Sequence, residues 1–80
     1  AFPNPFVIDS PDDELEFNFS QSGVVRLYSL AGEWVRELQV GQRWDGRNER
    51  GGEAASGVYI FVLTAADGSI GRGKILLIRK

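Results

Sequence analysis

The chain is expected to fold as a small antiparallel β-sandwich of about six to seven strands, an all-β class that three features of the sequence predict. Glu14-Leu15-Glu16-Phe17-Asn18-Phe19-Ser20 alternates strictly between polar and apolar residues, which is the period of a half-buried strand. Residues 58–66 are rich in β-branched and aromatic side chains and run straight into Asp67-Gly68, the favoured pair for a two-residue hairpin turn. No segment carries a convincing helical period, and the apolar runs recur at the spacing of a small sandwich.

The elements can be justified in chain order. Pro3, Pro5 and Pro11 all fall in the opening segment, where an edge strand suits them because proline cannot donate to a ladder. In residues 14–20, Leu15, Phe17 and Phe19 share one face. Gln21-Ser22-Gly23 breaks that run ahead of a second strand over residues 24–30. Ala31-Gly32 then makes a tight turn into residues 33–40, completing a three-stranded meander. The burial pattern of this third strand is blurred, because Trp34, Arg36, Leu38 and Val40 share one face and Val35 and Glu37 the other. A helix competes there, confined by Gly32 and Gly41 to about eight residues. A type I′ turn at Asp67-Gly68 sets the last hairpin by counting outward: Ala66 opposite Ser69, Ile60 opposite Ile75, Tyr59 opposite Leu76 and Val58 opposite Leu77. Both faces of that hairpin are apolar near its base. One meets the core and the other needs a cover from the opening segment, a loop or a partner; either face fits either role.

Composition narrows the function classes. Eighty residues make a single domain, residues 1–80, with a thin core. A net charge of -2, with nine basic residues spread among eleven acidic ones, offers no footprint for nucleic acid. The absence of Cys removes disulfides, thiolate nucleophiles and cysteine zinc sites, and the absence of His removes the commonest general base and metal ligand. No apolar run approaches the roughly 18 to 20 residues that span a bilayer, so no membrane insertion is expected, and the N-terminus lacks the regions of a signal peptide. Ala1 starts abruptly before a Pro-rich entry, which reads as a cut at a domain boundary of a larger protein.

Candidate chemistry is correspondingly sparse, and no catalytic, cofactor-binding or metal-ligating residue is assigned. Asp9, Asp12, Asp13 and Glu14 cluster as calcium ligands do, but read better as a solvated loop entering a strand. Asp45, Asn48 and Glu49 lack the spacing and distal Glu of an EF-hand and read as a turn. Gly51-Gly52 and Gly71-Arg72-Gly73 open no helix, so turns and a bulge explain them better than a phosphate cradle. Trp34, Trp44, Tyr28, Tyr59 and Phe61 suffice for a sugar-binding platform, yet a small domain needs most of them, Trp44 above all, inside. Trp34, beside a turn, is the one expected to be exposed as an aromatic contact.

Five segments in order carry a resemblance: Pro3-Asn4-Pro5-Phe6; Tyr28-Ser29-Leu30-Ala31-Gly32-Glu33-Trp34-Val35-Arg36-Glu37-Leu38; Trp44-Asp45-Gly46; Ser56-Gly57-Val58-Tyr59; and Lys74-Ile75-Leu76-Leu77-Ile78-Arg79-Lys80. Together they resemble the FlgD-type immunoglobulin-like domain and the overlapping C-terminal sorting domains of type IX secretion cargo. The closing basic strand is more like a sorting signal, and the Trp-Asp-Gly loop is more like the hook-capping relative. The resemblance implies a noncatalytic immunoglobulin-like C-terminal module of a larger secreted bacterial protein, serving export, surface attachment or spacing. Its partners would be the parent's upstream domains and a secretion or attachment machine, and its location the exterior or cell surface, reached through the periplasm. Lys74, Arg79 and Lys80 become the candidate sorting residues. Arg79 and Lys80, at the terminus, are expected to be dispensable for packing. The alternative is a carbohydrate-binding module of a polysaccharide-degrading enzyme, with a polysaccharide as partner and Trp34 as its contact.

Overall fold

Among the described residues seven strands form: β1 (Phe6–Ile8), β2 (Leu15–Glu16), β3 (Gly23–Ser29), β4 (Trp34–Gln39), β5 (Arg43–Trp44), β6 (Gly57–Ala65) and β7 (Ile70–Arg79). The computed structural model describes residues 4–10, 12–17 and 19–80. Five strands make one sheet in the order β1-β7-β6-β3-β4, and β2 pairs with β5 as a second, smaller layer. The all-β class is as expected. The main sheet is mixed rather than wholly antiparallel, because β1 lies parallel to β7. Its edge position suits Pro5; Pro3 and Pro11 lie outside the described residues.

Period-two alternation sends Val25 and Leu27 of β3, Tyr59, Phe61 and Leu63 of β6, and Ile75 and Leu77 of β7 to one face of the sheet. Phe6 and Ile8 of β1 extend that face, and Leu15, Phe17 and Trp44 close over it in one cluster. The ladder of β2 is only two residues long, shorter than the alternating segment. Its burial is nonetheless as expected, with Leu15 and Phe17 buried and Phe19 partly buried against the same cluster.

The blurred pattern of β4 has a local cause. Leu27 pairs with Arg36 and Tyr28 with Trp34, so Val35 is an extra residue in a bulge. A bulge sets two residues against one and shifts the face, which lets Val35 and Leu38 both point into the core. It also leaves Arg36 half-buried, aimed across the adjoining loop.

The last hairpin differs from the count made on a two-residue turn. Tyr59 pairs with Ile75, Val58 with Leu76 and Ile60 with Lys74, one residue out of the expected register. The loop holds three residues: Ala65 donates its N–H to the Ser69 carbonyl, and Gly68 donates to that of Ala65. Only Gly68 has positive φ, at 89°, whereas a type I′ turn requires it at Asp67 as well. The Asp67 carboxylate accepts from the Ser69 hydroxyl and N–H, which locks the three-residue form. The hydroxyl contact is the main cause of an Asp67 pKa below its usual value. Gly68→Val should therefore still destabilise, by about 1 to 2 kcal/mol, because a β-branched residue is forced into the left-handed region where space is open but the backbone is not. A denaturant midpoint within a few tenths of a kcal/mol of the parent's would contradict this.

Gly51 lies in a turn, its N–H donating to the Asn48 carbonyl, but register corrects the reading of Gly71-Arg72-Gly73 as a turn or bulge. All three lie inside a regular stretch of the ladder, with Gly73 opposite Phe61 and Gly71 opposite Leu63. A Cβ on Gly73 would sit 2.4 Å from two ring carbons of Phe61, so the glycine makes room for that ring. The face of the hairpin left open in sequence is now fixed: Tyr59, Ile75 and Leu77 face the core, and Val58 and Leu76 are exposed on the other side.

Candidate functional site

The three candidate sorting residues do not form one patch. Ile75 and Leu77 point into the core, so Lys74 lies on the outer face of β7 and Arg79 on the inner one. Lys74 is exposed, and its carbonyl accepts from the Asn4 side chain at 3.2 Å. Lys80 follows the strand; its backbone N–H donates to the Ile8 carbonyl at 2.8 Å and its side chain is exposed.

Arg79 corrects the expectation that terminal charge is not needed for packing. Its side chain is only 21% exposed. Nη2 donates to the Gly46 carbonyl at 2.8 Å and Nε to that of Ala54 at 3.1 Å, while Nη1 meets the Glu53 carboxylate at 3.3 Å. Its backbone N–H donates to the Ser56 hydroxyl. The fork geometry of a guanidinium thus spans both ends of the Trp-Asp-Gly loop and ties it to the closing strand. Around it is a crevice of about 250 Å³, lined among others by Asp9, Asp45, Arg47, Glu53 and Lys80. Cations and carboxylates are interspersed there, which gives no single-sign surface.

The same loop is held from two further directions. Trp44 is 0% exposed and packs against Phe6 and Tyr59, with ring centroids 6.0 and 5.8 Å away. Its Nε1 donates to the Arg47 carbonyl at 2.9 Å, and Arg36 Nη1 reaches the same carbonyl at 3.3 Å and the Asp45 carboxylate at 3.2 Å. Asp45 also accepts from the Arg47 N–H, which tightens the turn. Gly46 has φ of 79°, and a Cβ there would lie 2.3 Å from Ile8 Cδ1. The tryptophan, the aspartate and the glycine of this motif each have a folding task. Nearby, the Tyr59 hydroxyl donates to the Ala55 carbonyl; burial pushes its pKa above the usual 10.0, and the Arg79 charge pulls the other way.

Among the described residues Trp34 is the exposed aromatic, at 48%, on the outer face of β4. It meets Tyr28 edge-on, with an interplanar angle of 78°, so the two rings do not share a plane. Beside Trp34 runs a groove of about 400 Å³ walled by Glu33, Asn48, Glu49 and Arg50. The acidic candidates are engaged locally: Asp13 accepts from the backbone N–H of Asp9 and Ser10, and Asn48 accepts from those of Arg50 and Gly52. Among the described residues no three acidic groups are gathered as a metal site would need. Sequence reasoning missed Arg36 and the structural role of Arg79. Two of the three acceptors of Arg79 are backbone carbonyls, which leave no mark in a sequence, and Arg36 reaches the Arg47 carbonyl and the Asp45 and Glu49 carboxylates only because the loop folds back over β4.

A scan against protein-family models found no match, and a search of curated proteins found none. Among solved structures, the chain is similar to part of PorZ, an essential bacterial surface component of the type-IX secretion system of Porphyromonas gingivalis. The TM-score is 0.68 at 22% sequence identity, over 96% of this chain and 11% of that one. At this identity the likeness shows the fold.

Proposed function

We propose that this chain is a noncatalytic immunoglobulin-like module of a larger secreted bacterial protein, carried at its C-terminal end and serving type IX export, surface attachment or spacing. The observation that carries this reading is the near-complete overlay on part of a type-IX secretion surface component, joined to the family-like order of the five sequence segments. Delivery is to the exterior or cell surface through the periplasm, and the partners are the parent's upstream domains and the export or attachment machinery. Lys74 and Lys80 are the side chains free to be read by such a machine, since Arg79 is committed to the loop. The direct experiment is to append the chain to a periplasmic reporter in a bacterium with a type IX system. Surface delivery that requires both the module and the secretion machine supports the reading, and a reporter that stays periplasmic with the module folded contradicts it.

The polysaccharide reading keeps one favourable observation, the half-exposed Trp34 beside its polar-walled groove. The edge-on Tyr28 offers no second coplanar stacking surface. Saturable binding to an insoluble polysaccharide, abolished by Trp34→Ala, would put this alternative first.

A further inference from the structure

An edge strand ordinarily presents a row of open N–H and C=O groups that another strand can pair with. At the outer edge of β4 that row is occupied by side chains and by one loop residue. Glu49 donates its backbone N–H to the Val35 carbonyl at 2.9 Å, and its carboxylate accepts the Glu37 N–H at 2.7 Å. These two bonds around Arg36 have the pattern that one residue of a parallel neighbouring strand makes, with the carboxylate standing in for that residue's own carbonyl. Farther along, the Gln42 amide oxygen accepts the Gln39 N–H at 2.8 Å, and the Gln42 N–H donates to the Gln39 carbonyl at 2.9 Å. Arg36 holds the Glu49 carboxylate from below, with Nε 3.9 Å away.

We infer that Glu49, seconded by Gln42, guards the edge of β4 against pairing with a second copy of this chain. The strand is self-complementary in the antiparallel sense. Centred on Leu38, two copies would set Leu38 against Leu38, Glu37 against Gln39 and Arg36 against Val40, so no like charges would face each other. What prevents this pairing is the occupancy of the outward N–H groups of Glu37 and Gln39. The guard is removable because the Glu49 side chain, 46% exposed, is held by polar contacts and not by burial in the core.

Sedimentation velocity over a range of concentrations tests this on the whole chain. The unaltered chain and Glu49→Gln, whose amide oxygen still accepts from Glu37, should remain monomeric. Glu49→Ala combined with Gln42→Ala, which frees the outward N–H groups of both Glu37 and Gln39, should dimerise with concentration, and adding Gln39→Pro, which removes one of those N–H groups at an edge where proline is tolerated, should restore the monomer. A Glu49→Ala, Gln42→Ala chain that stays monomeric at every concentration, or one that associates regardless of Gln39→Pro, overturns the inference. Hydrogen exchange on the unaltered chain gives a test independent of whether the variants fold. The Glu37 amide should be protected like the amides of β4 that face β3, and exchange at the free-peptide rate overturns the role of Glu49.

Discussion

Trp44→Ala should lower the unfolding free energy by about 3 to 5 kcal/mol, and at 37 °C we expect it to leave little folded protein. The indole is wholly buried, touches the rings of Phe6 and Tyr59, and hydrogen-bonds the Arg47 carbonyl. Truncation opens a cavity where the two layers meet and removes one of the two donors on that carbonyl. A domain of this size has on the order of 5 to 10 kcal/mol in all, so one side chain accounts for a large share. Chemical denaturation checks it; a midpoint unchanged from the parent would mean that Trp44 is not the anchor its burial implies.

Arg79→Ala should cost about 2 to 4 kcal/mol, far more than an exposed terminal charge contributes. The cost comes from the Gly46 and Ala54 carbonyls. Gly46 keeps the N–H of Ala54 as a donor, so the larger loss falls on Ala54. The Glu53 pair adds little, since that carboxylate is mostly in water. Arg79→Lys should recover only part of the loss, because an ammonium cannot span the two carbonyls as the guanidinium fork does. Thermal melts of the three chains decide this, and a melting temperature for Arg79→Ala equal to the parent's would return Arg79 to the class of dispensable terminal charges.

Where a residue's task follows from its nearest neighbours along the chain, it was legible in the sequence. Leu15, Phe17 and Phe19 lie on one face because alternation fixes it, and Trp34 is exposed where its turn suggested. Where two local solutions compete, it was not. Asp67-Gly68 suits a two-residue and a three-residue loop alike, and the choice lies with the Asp67 contacts to Ser69 and the space that Gly73 leaves for Phe61. The bulge at Val35 scrambled a face that a regular strand would have displayed. The parallel pairing of β1 with β7 joins the two ends of the described chain, which no local pattern encodes. Arg79 is the clearest case for the candidate site. Its carbonyl acceptors lie 25 and 33 residues away, so a basic terminus that looked like an address is in part a clamp.

That division between clamp and address is the central claim, and surface delivery of a reporter bearing the paired substitution Lys74→Ala and Lys80→Ala tests it most directly. Both side chains are exposed, so the melting curve should stay within about 1 kcal/mol of the parent's. The folded double variant should nonetheless accumulate in the periplasm. Normal arrival of that correctly folded variant at the cell surface would contradict an address at these lysines and leave the module as a spacer or attachment domain.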